Sequence, residues 1–420
     1  MTKQSVETLI VGGGPAGLAA ALAAAARAKS VAIIDDNPHL GGQIWRSELG
    51  NVKSPQATRI VNKISSGQVQ IINNAQVFTT AGARRLLAET PGGVVELNYE
   101  KLIIATGARE RFLPFPGWTL PNVFGAGGLQ ALIKGGLKIE NKRIIVAGTG
   151  PLLLAVADYA NVKGAKVLLI AEQTSAAQIR RFARGLWRQP TKMIDAAALR
   201  ARLIGIPYRT GCWVTECRSE RVSKGVQTAP ISVDIFRKGK TQTFDCDYLA
   251  CGFHLVPNLE LAELLSCNID DGFVTVDKFQ QTSVENVFCA GEPTGIAGVE
   301  SSLVEGTIAG LAAIGQFDAA GTHFAKRDAA RRFGGAMNAA FLLRSELRSL
   351  ADAATIICRC EDVERGRLAE FSSFREAKLQ TRCGMGACQG RVCGAATEFL
   401  FGWERPNVRP PIFPVRMENL

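Results

Sequence analysis

Glu7-Thr-Leu-Ile-Val-Gly-Gly-Gly-Pro-Ala-Gly17 is the stretch whose reading decides the fold. The apolar residues before Gly12 have the length of a buried strand, and the glycine cluster behind them cannot continue it. Leu18 to Arg27 then reads as an alanine-rich helix, and Ser30 to Asp35 as a second strand ending on an acid. Gly12-x-Gly14-x-x-Gly17 thus stands between a strand and a helix, where a dinucleotide fingerprint has to stand. The first glycine permits the tight turn, and the second, followed by Pro15 and Ala16, lets backbone approach a pyrophosphate. The third allows close helix–strand packing, and the helix N-terminus faces the phosphate charge. Asp35 is placed to accept a hydrogen bond from an adenosine ribose hydroxyl. Asp36 is the rival acid, but the apolar run ends directly at Asp35.

The pattern recurs. Lys142 to Ala147 reads as a strand, Gly148-Thr-Gly-Pro151 as a turn, Leu152 to Lys163 as a helix and Ala165 to Ala171 as the next strand. Two such units form an internal repeat of nucleotide-binding architecture. In the second loop, Gly148-x-Gly150-x-x-Leu153, a leucine replaces the third glycine and is expected to push helix and strand apart or tilt the helix. Glu172, or else Gln173, holds the place of the ribose acid, and no arginine stands ready for a 2′-phosphate. The unit suits NAD or another adenine nucleotide, or else a structural domain without a working hydride site.

Between the repeats, Glu100 to Thr106 is a further buried strand, and the proline-rich stretch Phe112 to Pro121 reads as a crossing between domains. Asp247 to Gly252 reads as the return to the first domain, followed by the strand Asn286 to Gly291 and a closing helix, Ser302 to Phe317. The expected division is 1–112 and 247–325 for the first nucleotide domain, 113–246 for the second, and 326–420 for a C-terminal helical region.

The chain has 420 residues, 47% hydrophobic and 21% charged, the balance of a globular protein of two or three domains that buries a sizeable core. The net charge of +11 is spread along the chain and not gathered in a tail, which argues against a nucleic-acid partner. Arg180, Arg181, Arg184, Arg188 and Lys192, with Trp187 among them, form the densest basic stretch; a solvated helix face is the plain reading, a docking face for an acidic protein the other. The longest aliphatic run, Ala16 to Ala26, is too short to span a bilayer. With no signal-peptide pattern at the start, a cytoplasmic protein is expected.

Six of the eleven cysteines, Cys212, Cys217, Cys246, Cys251, Cys267 and Cys289, are scattered in apolar surroundings, where a buried free thiol is the default. The other five are Cys358-x-Cys360 and Cys383-Gly-Met-Gly-Ala-Cys388-Gln-Gly-Arg-Val-Cys393. Thiolates at that density repel one another unless a metal neutralises them. Structural zinc favours paired Cys-x2–4-Cys knuckles, and Cys-x-Cys does not readily form one. Three histidines in the whole chain offer no persuasive general base; His254 is read as a satisfied polar residue on a return loop.

Val11-Gly-Gly-Gly-Pro-Ala-Gly17, Asp35, Gly41-Gly42-Gln43, Ala105-Thr106-Gly107 and Cys289-Ala-Gly291-Glu292 resemble the FAD-binding motifs of the two-dinucleotide-domain flavoproteins, which include thioredoxin and glutathione reductases. The resemblance implies an α/β flavoprotein of two Rossmann-like domains. It also implies an FAD site in which Gly291-Glu292 replaces the usual Gly-Asp that contacts the ribityl chain. Redox dithiol chemistry is not expected, because no Cys-x-x-Cys is present and no cysteine precedes Cys212. Gly-Met-Gly-x-Cys-Gln-Gly-x-x-Cys resembles the two-iron domain related to bacterioferritin-associated ferredoxin, found in certain flavin dehydrogenases. That resemblance implies a small, mainly α, C-terminal domain with a [2Fe–2S] cluster on Cys358, Cys360, Cys388 and Cys393, with Cys383 to spare.

Over nearly its whole length the chain is similar to the α subunits of heteromeric dye-linked amino-acid dehydrogenases, a group that includes opine, D-hydroxyproline and L-proline dehydrogenases, hydrogen cyanide synthase and sarcosine oxidase. Gly42-Gln-Ile-Trp-Arg46, Ala147 to Leu152, Gly295-Ile-Ala-Gly298 and Arg409 to Pro414 are the most family-like pieces. The similarity implies that this chain transfers electrons and that a flavin-bearing β subunit oxidises the substrate. It further implies a small additional subunit, an FMN at a subunit interface and an external electron acceptor. The alternatives are a stand-alone NAD(P)H-dependent flavin reductase and a non-catalytic regulatory or assembly subunit.

Overall fold

The computed structural model describes residues 2–45, 55–65, 67, 69–186, 189–219, 230–405 and 408–420; Arg46, Trp187, Arg188 and Pro406 lie outside them. The chain divides into two compact units, Met1–Arg109 with Pro257–Gly335 and Asn407–Leu420, and Glu110–Val256 with Ala336–Pro406.

In the first unit, the strand Thr2–Val11 lies at the centre of the sheet, parallel to Val31–Ile34 on one side and to Gly93–Ile104 on the other. Val69–Ile72 extends the first side, and Val287–Cys289 adds to Gly93–Ile104, both in parallel. The antiparallel strands Arg85–Thr90 and Gln76–Thr80 complete the far edge. Central strands covered on both faces are buried all round, so Val31-Ala-Ile-Ile34 is apolar at every position. The fingerprint helix, Pro15–Ala24, packs against Val299–Ala313. Alanines and glycines make both helices thin, and a Cβ on Gly306 or Gly310 would lie 2.1 Å from the Ala16 oxygen or 2.3 Å from the Ala20 oxygen.

The second unit repeats the plan with five parallel strands, in the order Tyr208–Thr210, Lys166–Glu172, Arg143–Thr149, Tyr248–Phe253 and Val123–Gly125. A three-stranded antiparallel sheet, Cys212–Ser219, Ile231–Arg237 and Lys240–Cys246, packs into the same core. Leu153, expected to push helix and strand apart or tilt the helix, packs into the core of the second unit. Its side chain is fully buried, and Gly252 makes room for it, since a Cβ there would sit 3.3 Å from Leu153 Cδ2.

The expected domain limits shift in four places. Tyr248–Phe253 stays in the second unit, paired with Arg143–Thr149 in the register Tyr248↔Ile144, so the chain returns at Pro257 and not at 247. The first crossing falls at Arg109/Glu110. The proline-rich stretch, expected to be a crossing, instead supplies Leu113, Phe115 and Trp118 to the second core. Residues 336–406 belong to the second unit, where Trp118 Nε1 donates to the Ile356 oxygen at 2.6 Å. The tail returns to the first unit, with Ile412 N–H donating to the Phe78 oxygen at 2.8 Å and Arg416 paired with Glu89.

Arg180, Arg181 and Arg184 lie on the helix Ala176–Gly185, which buries no residue. Among the described residues no helix is long and apolar enough to cross a membrane.

Replacing Gly306 with valine should force the two helices of the first unit apart. The expected loss is about 1–3 kcal/mol or more, read as a lowered Tm. An unchanged Tm would show that this close contact does not hold the unit together.

Candidate functional site

The first glycine loop has the geometry its sequence requires. Gly12 adopts φ +108°, and a Cβ there would lie 2.2 Å from the Ala105 oxygen. A Cβ on Gly17 would lie 1.8 Å from the Gly12 oxygen, so only glycine lets helix and strand close up. Gly14 differs: its backbone is extended, and a Cβ would meet nothing nearer than Gly42 Cα at 3.9 Å. The space in front of Gly14 is therefore open, and the helix starting at Pro15 directs its free N–H groups there.

Asp35 is buried beside this loop. Its Oδ2 accepts from Gly13 N–H at 2.5 Å, and its Oδ1 accepts from Asn37 N–H at 2.8 Å. Asp36 is exposed and bonds to Asn37 Nδ2 at 2.6 Å, so Asp35 is the acid at the loop. Gly41 and Gly42 run beside the loop, with Gly41 N–H donating to the Gly13 oxygen at 2.7 Å, while Gln43 is exposed. Thr106 Oγ1 donates to the Asn258 oxygen at 2.7 Å, and Asn258 Nδ2 returns a bond to the Thr106 oxygen at 2.8 Å. Gly107, at φ +68°, has open space where a Cβ would stand.

Gly291 abuts the fingerprint helix, its would-be Cβ 2.9 Å from Ala16 Cβ. Glu292 follows, with Oε1 accepting from Gly298 N–H at 3.0 Å and Oε2 buried without a partner. Burial pushes this carboxyl up to about 7. A buried oxygen without a donor fits a ligand hydroxyl, and the open space at Gly14 fits a pyrophosphate. The residues therefore suit FAD.

Sequence reasoning missed Glu305. Fully buried on Val299–Ala313, it accepts from Gly291 N–H at 2.9 Å and Thr294 Oγ1 at 2.8 Å through Oε2. Its Oε1 receives Arg331 Nε at 2.7 Å. An acid at the centre of a largely apolar helix was the available signal.

In the second unit Glu172 is fully buried and takes the role that Asp35 has in the first. Its Oε2 accepts from Gly150 N–H and its Oε1 from Thr174 N–H, each at 2.8 Å. A Cβ on Gly148, at φ +133°, would lie 1.9 Å from the Gly252 oxygen.

Three of the five clustered cysteines, Cys358, Cys383 and Cys393, share a small core with Ile357, Val363, Leu368, Phe374 and Trp403. The sulfurs of Cys358, Cys383 and Cys393 lie within 4.8 Å of one another, all buried. Cys388 is half-buried, with its thiol hydrogen-bonded to Cys393 and Cys360, and Cys360 is exposed. Thiol donors from Cys383 and Cys393 hold Cys358 well below the ordinary thiol range. Cys383, the cysteine read as spare, thus lies inside the buried group. Arg382 takes a left-handed conformation, φ +66°, at the end of the helix Phe374–Thr381 and turns the chain so that Cys383 points inward. The donor set is all sulfur, which suits iron–sulfur or zinc and not a hard cation.

Residues 6–308 match the model of the pyridine nucleotide-disulphide oxidoreductase family. The chain belongs to that family. It is an FAD-dependent oxidoreductase of the two-domain type. It is 31% identical to hydrogen cyanide synthase subunit HcnB of Pseudomonas aeruginosa, over 98% of this chain and 97% of that protein. It is 29% identical to an opine oxidase subunit of Rhizobium meliloti, over 100% of this chain and 88% of that protein. The L-proline dehydrogenase structure from P. horikoshii superposes with a TM-score of 0.69 at 18% identity, covering 100% of this chain and 80% of that one. Thioredoxin reductase from T. acidophilum gives 0.54 at 20% identity, covering 75% and 98%.

Gly14→Val should fold, because its backbone is extended and the side chain meets open space, and it should lose FAD, because the valine stands where the pyrophosphate approaches the amides. A folded variant that retains the full visible flavin band would remove FAD from this loop.

Proposed function

We propose that this chain is the electron-transferring α subunit of a heteromeric flavin-dependent dehydrogenase whose substrate is an amino acid, an imino acid or an opine. Its partner would be a β subunit that carries a flavin and oxidises the substrate. A small additional subunit, an FMN at a subunit interface and an external acceptor complete the proposed assembly. The observation that carries this reading is similarity along almost the full chain to two proteins named as enzyme subunits, one of hydrogen cyanide synthase and one of an opine oxidase.

In this reading Gly12, Gly14, Gly17 and the N-terminus at Pro15 and Ala16 bind the FAD pyrophosphate, and Asp35 holds the adenosine ribose. Gly42, Gln43, Thr106 and Gly107 line the approach to the flavin, and Glu292 accepts from the ribityl chain through its free oxygen. Bound there, FAD supplies two-electron acceptance and one-electron release. Glu305 and Arg331 hold the Gly291 turn in place from behind.

The cysteine core would hold a [2Fe–2S] cluster, with two thiolates for each iron. Cys358 and Cys393 are neighbours, and so are Cys360 and Cys388. Gly386 lets Cys360 approach, since a Cβ there would sit 2.2 Å from Cys360 Cβ. Those two pairs form the proposed ligand set, with Cys383 an adjacent thiol.

Two measurements test these assignments. The purified single chain should reduce dye with no amino acid or opine, and adding a flavin-bearing partner subunit should create that activity; robust oxidation by the single chain would overturn the α-subunit reading. Cys358→Ser, Cys360→Ser, Cys388→Ser and Cys393→Ser should each abolish the EPR signal of the reduced protein, and Cys383→Ser should leave it. Loss of the signal in Cys383→Ser with retention in Cys360→Ser would move the fourth ligand to Cys383.

A further inference from the structure

Each glycine loop donates one backbone N–H to its acid, Gly13 to Asp35 and Gly150 to Glu172, and the loops differ in what lies in front of them. Gly12 and Gly14 are partly exposed, whereas Gly148, Thr149 and Gly150 are buried. A short stretch of the same unit, Phe341 to Arg344, covers the second loop.

Its contacts run from one strand end to the next. Thr149 Oγ1, at the end of the strand Arg143–Thr149, donates to the Phe341 oxygen at 3.1 Å, and His254 Nε2 lies 2.6 Å from the same oxygen. Gln173, directly after Glu172, donates through Nε2 to the Leu342 oxygen at 2.9 Å and accepts from Arg344 N–H at 3.1 Å. The Phe341 ring faces Gly150, with Cγ 3.9 Å from where a Cβ would stand, and packs edge-on against Phe182 with centroids 5.6 Å apart. Phe341 and Gln173 are both buried.

These are the carboxyl ends of the parallel strands, where a doubly wound sheet takes its dinucleotide. A bound nucleotide needs its pyrophosphate at Gly150 and its ribose at Glu172. The phenylalanine stands at the first position and the Leu342–Arg344 backbone beside the second. We propose that Phe341–Arg344 is the resident occupant of the second nucleotide site, so that this unit takes neither NAD(H) nor NADP(H). Electrons then reach the flavin from a source other than a nicotinamide; that consequence rests on the FAD assignment above, whereas the occupancy does not.

The test titrates the full chain with NADH and NADPH, following binding by calorimetry, the flavin by absorbance and the backbone by hydrogen exchange. The expected result is no binding tighter than about 1 mM, no flavin bleaching, and slow exchange at Arg344 N–H. Gln173→Ala removes two anchors and should speed that exchange. Saturable binding that changes exchange at residues 148–153 and 341–344 would overturn the occupancy, and so would an Arg344 amide already unprotected in the wild type. Binding that instead changes exchange only at residues 12–17 would uphold the closed second site and sink the FAD assignment, so the two readings fail separately.

Discussion

The peptide oxygens of Ala16 and Ala20 lie so near the helix Val299–Ala313 that only a hydrogen atom fits between them and the α-carbons of Gly306 and Gly310. On its other side, Gly17 holds the same fingerprint helix against the Gly12 peptide with equal economy. The helix is therefore fixed by backbone on two sides, and its N-terminus has one direction left, out over Gly14. A dipole-based phosphate site needs that kind of fixing, because the attraction falls off within the first turn. Gly291 and Glu292 are positioned by the same contact, since Gly291 touches Ala16 and is tied to Glu305 on the second helix.

Where the chain needs a conformation or an approach that one residue type alone permits, the sequence was legible. Gly12, Gly17 and Gly148 announce both loops, and the apolar runs ahead of them announce the strands. The domain return at 247 was misread for a physical reason. Tyr248-Leu-Ala-Cys-Gly-Phe253 is buried along its whole length, and a strand buried on both faces reads identically whichever parallel sheet receives it. The room that Leu153 occupies was not legible locally, because Gly252, which leaves it, lies far downstream on another strand. The burial of Cys383 was not legible, because it follows a single left-handed residue, Arg382, that linear spacing does not reveal.

Phe341–Arg344 was the least legible segment. It contacts the second loop mainly through backbone carbonyls and one amide, and such contacts leave no periodicity and select no residue type. The side chains that receive them are legible only in retrospect: Thr149, Gln173 and His254 all sit where a nucleotide-binding loop would otherwise leave its polar groups to a ligand. His254 even adopts a left-handed conformation, φ +70°, to reach its carbonyl. The repeated acid-to-loop bond, Asp35 to Gly13 and Glu172 to Gly150, shows that such an acid first orders its own loop. Its presence therefore marks the architecture and does not by itself establish that a nucleotide binds.

The thiols divide along the same physical line. Cys251 and Cys289 lie wholly inside the two sheets, and burial pushes both well above the ordinary thiol range. Cys217 and Cys246 are each raised to about 12 and Cys212 to about 11, again first by burial. None of these five offers a thiolate near neutral pH, and the described cysteines form no disulfide. Within a family whose name includes disulfide chemistry, the two nucleotide-type sheets of this chain keep only inert sulfur. Thiol character is lowered at Cys358 and Cys388, where neighbouring thiols donate to them in a core too small to absorb uncompensated charge. Thiols held below the ordinary range are thereby confined to the last part of the chain.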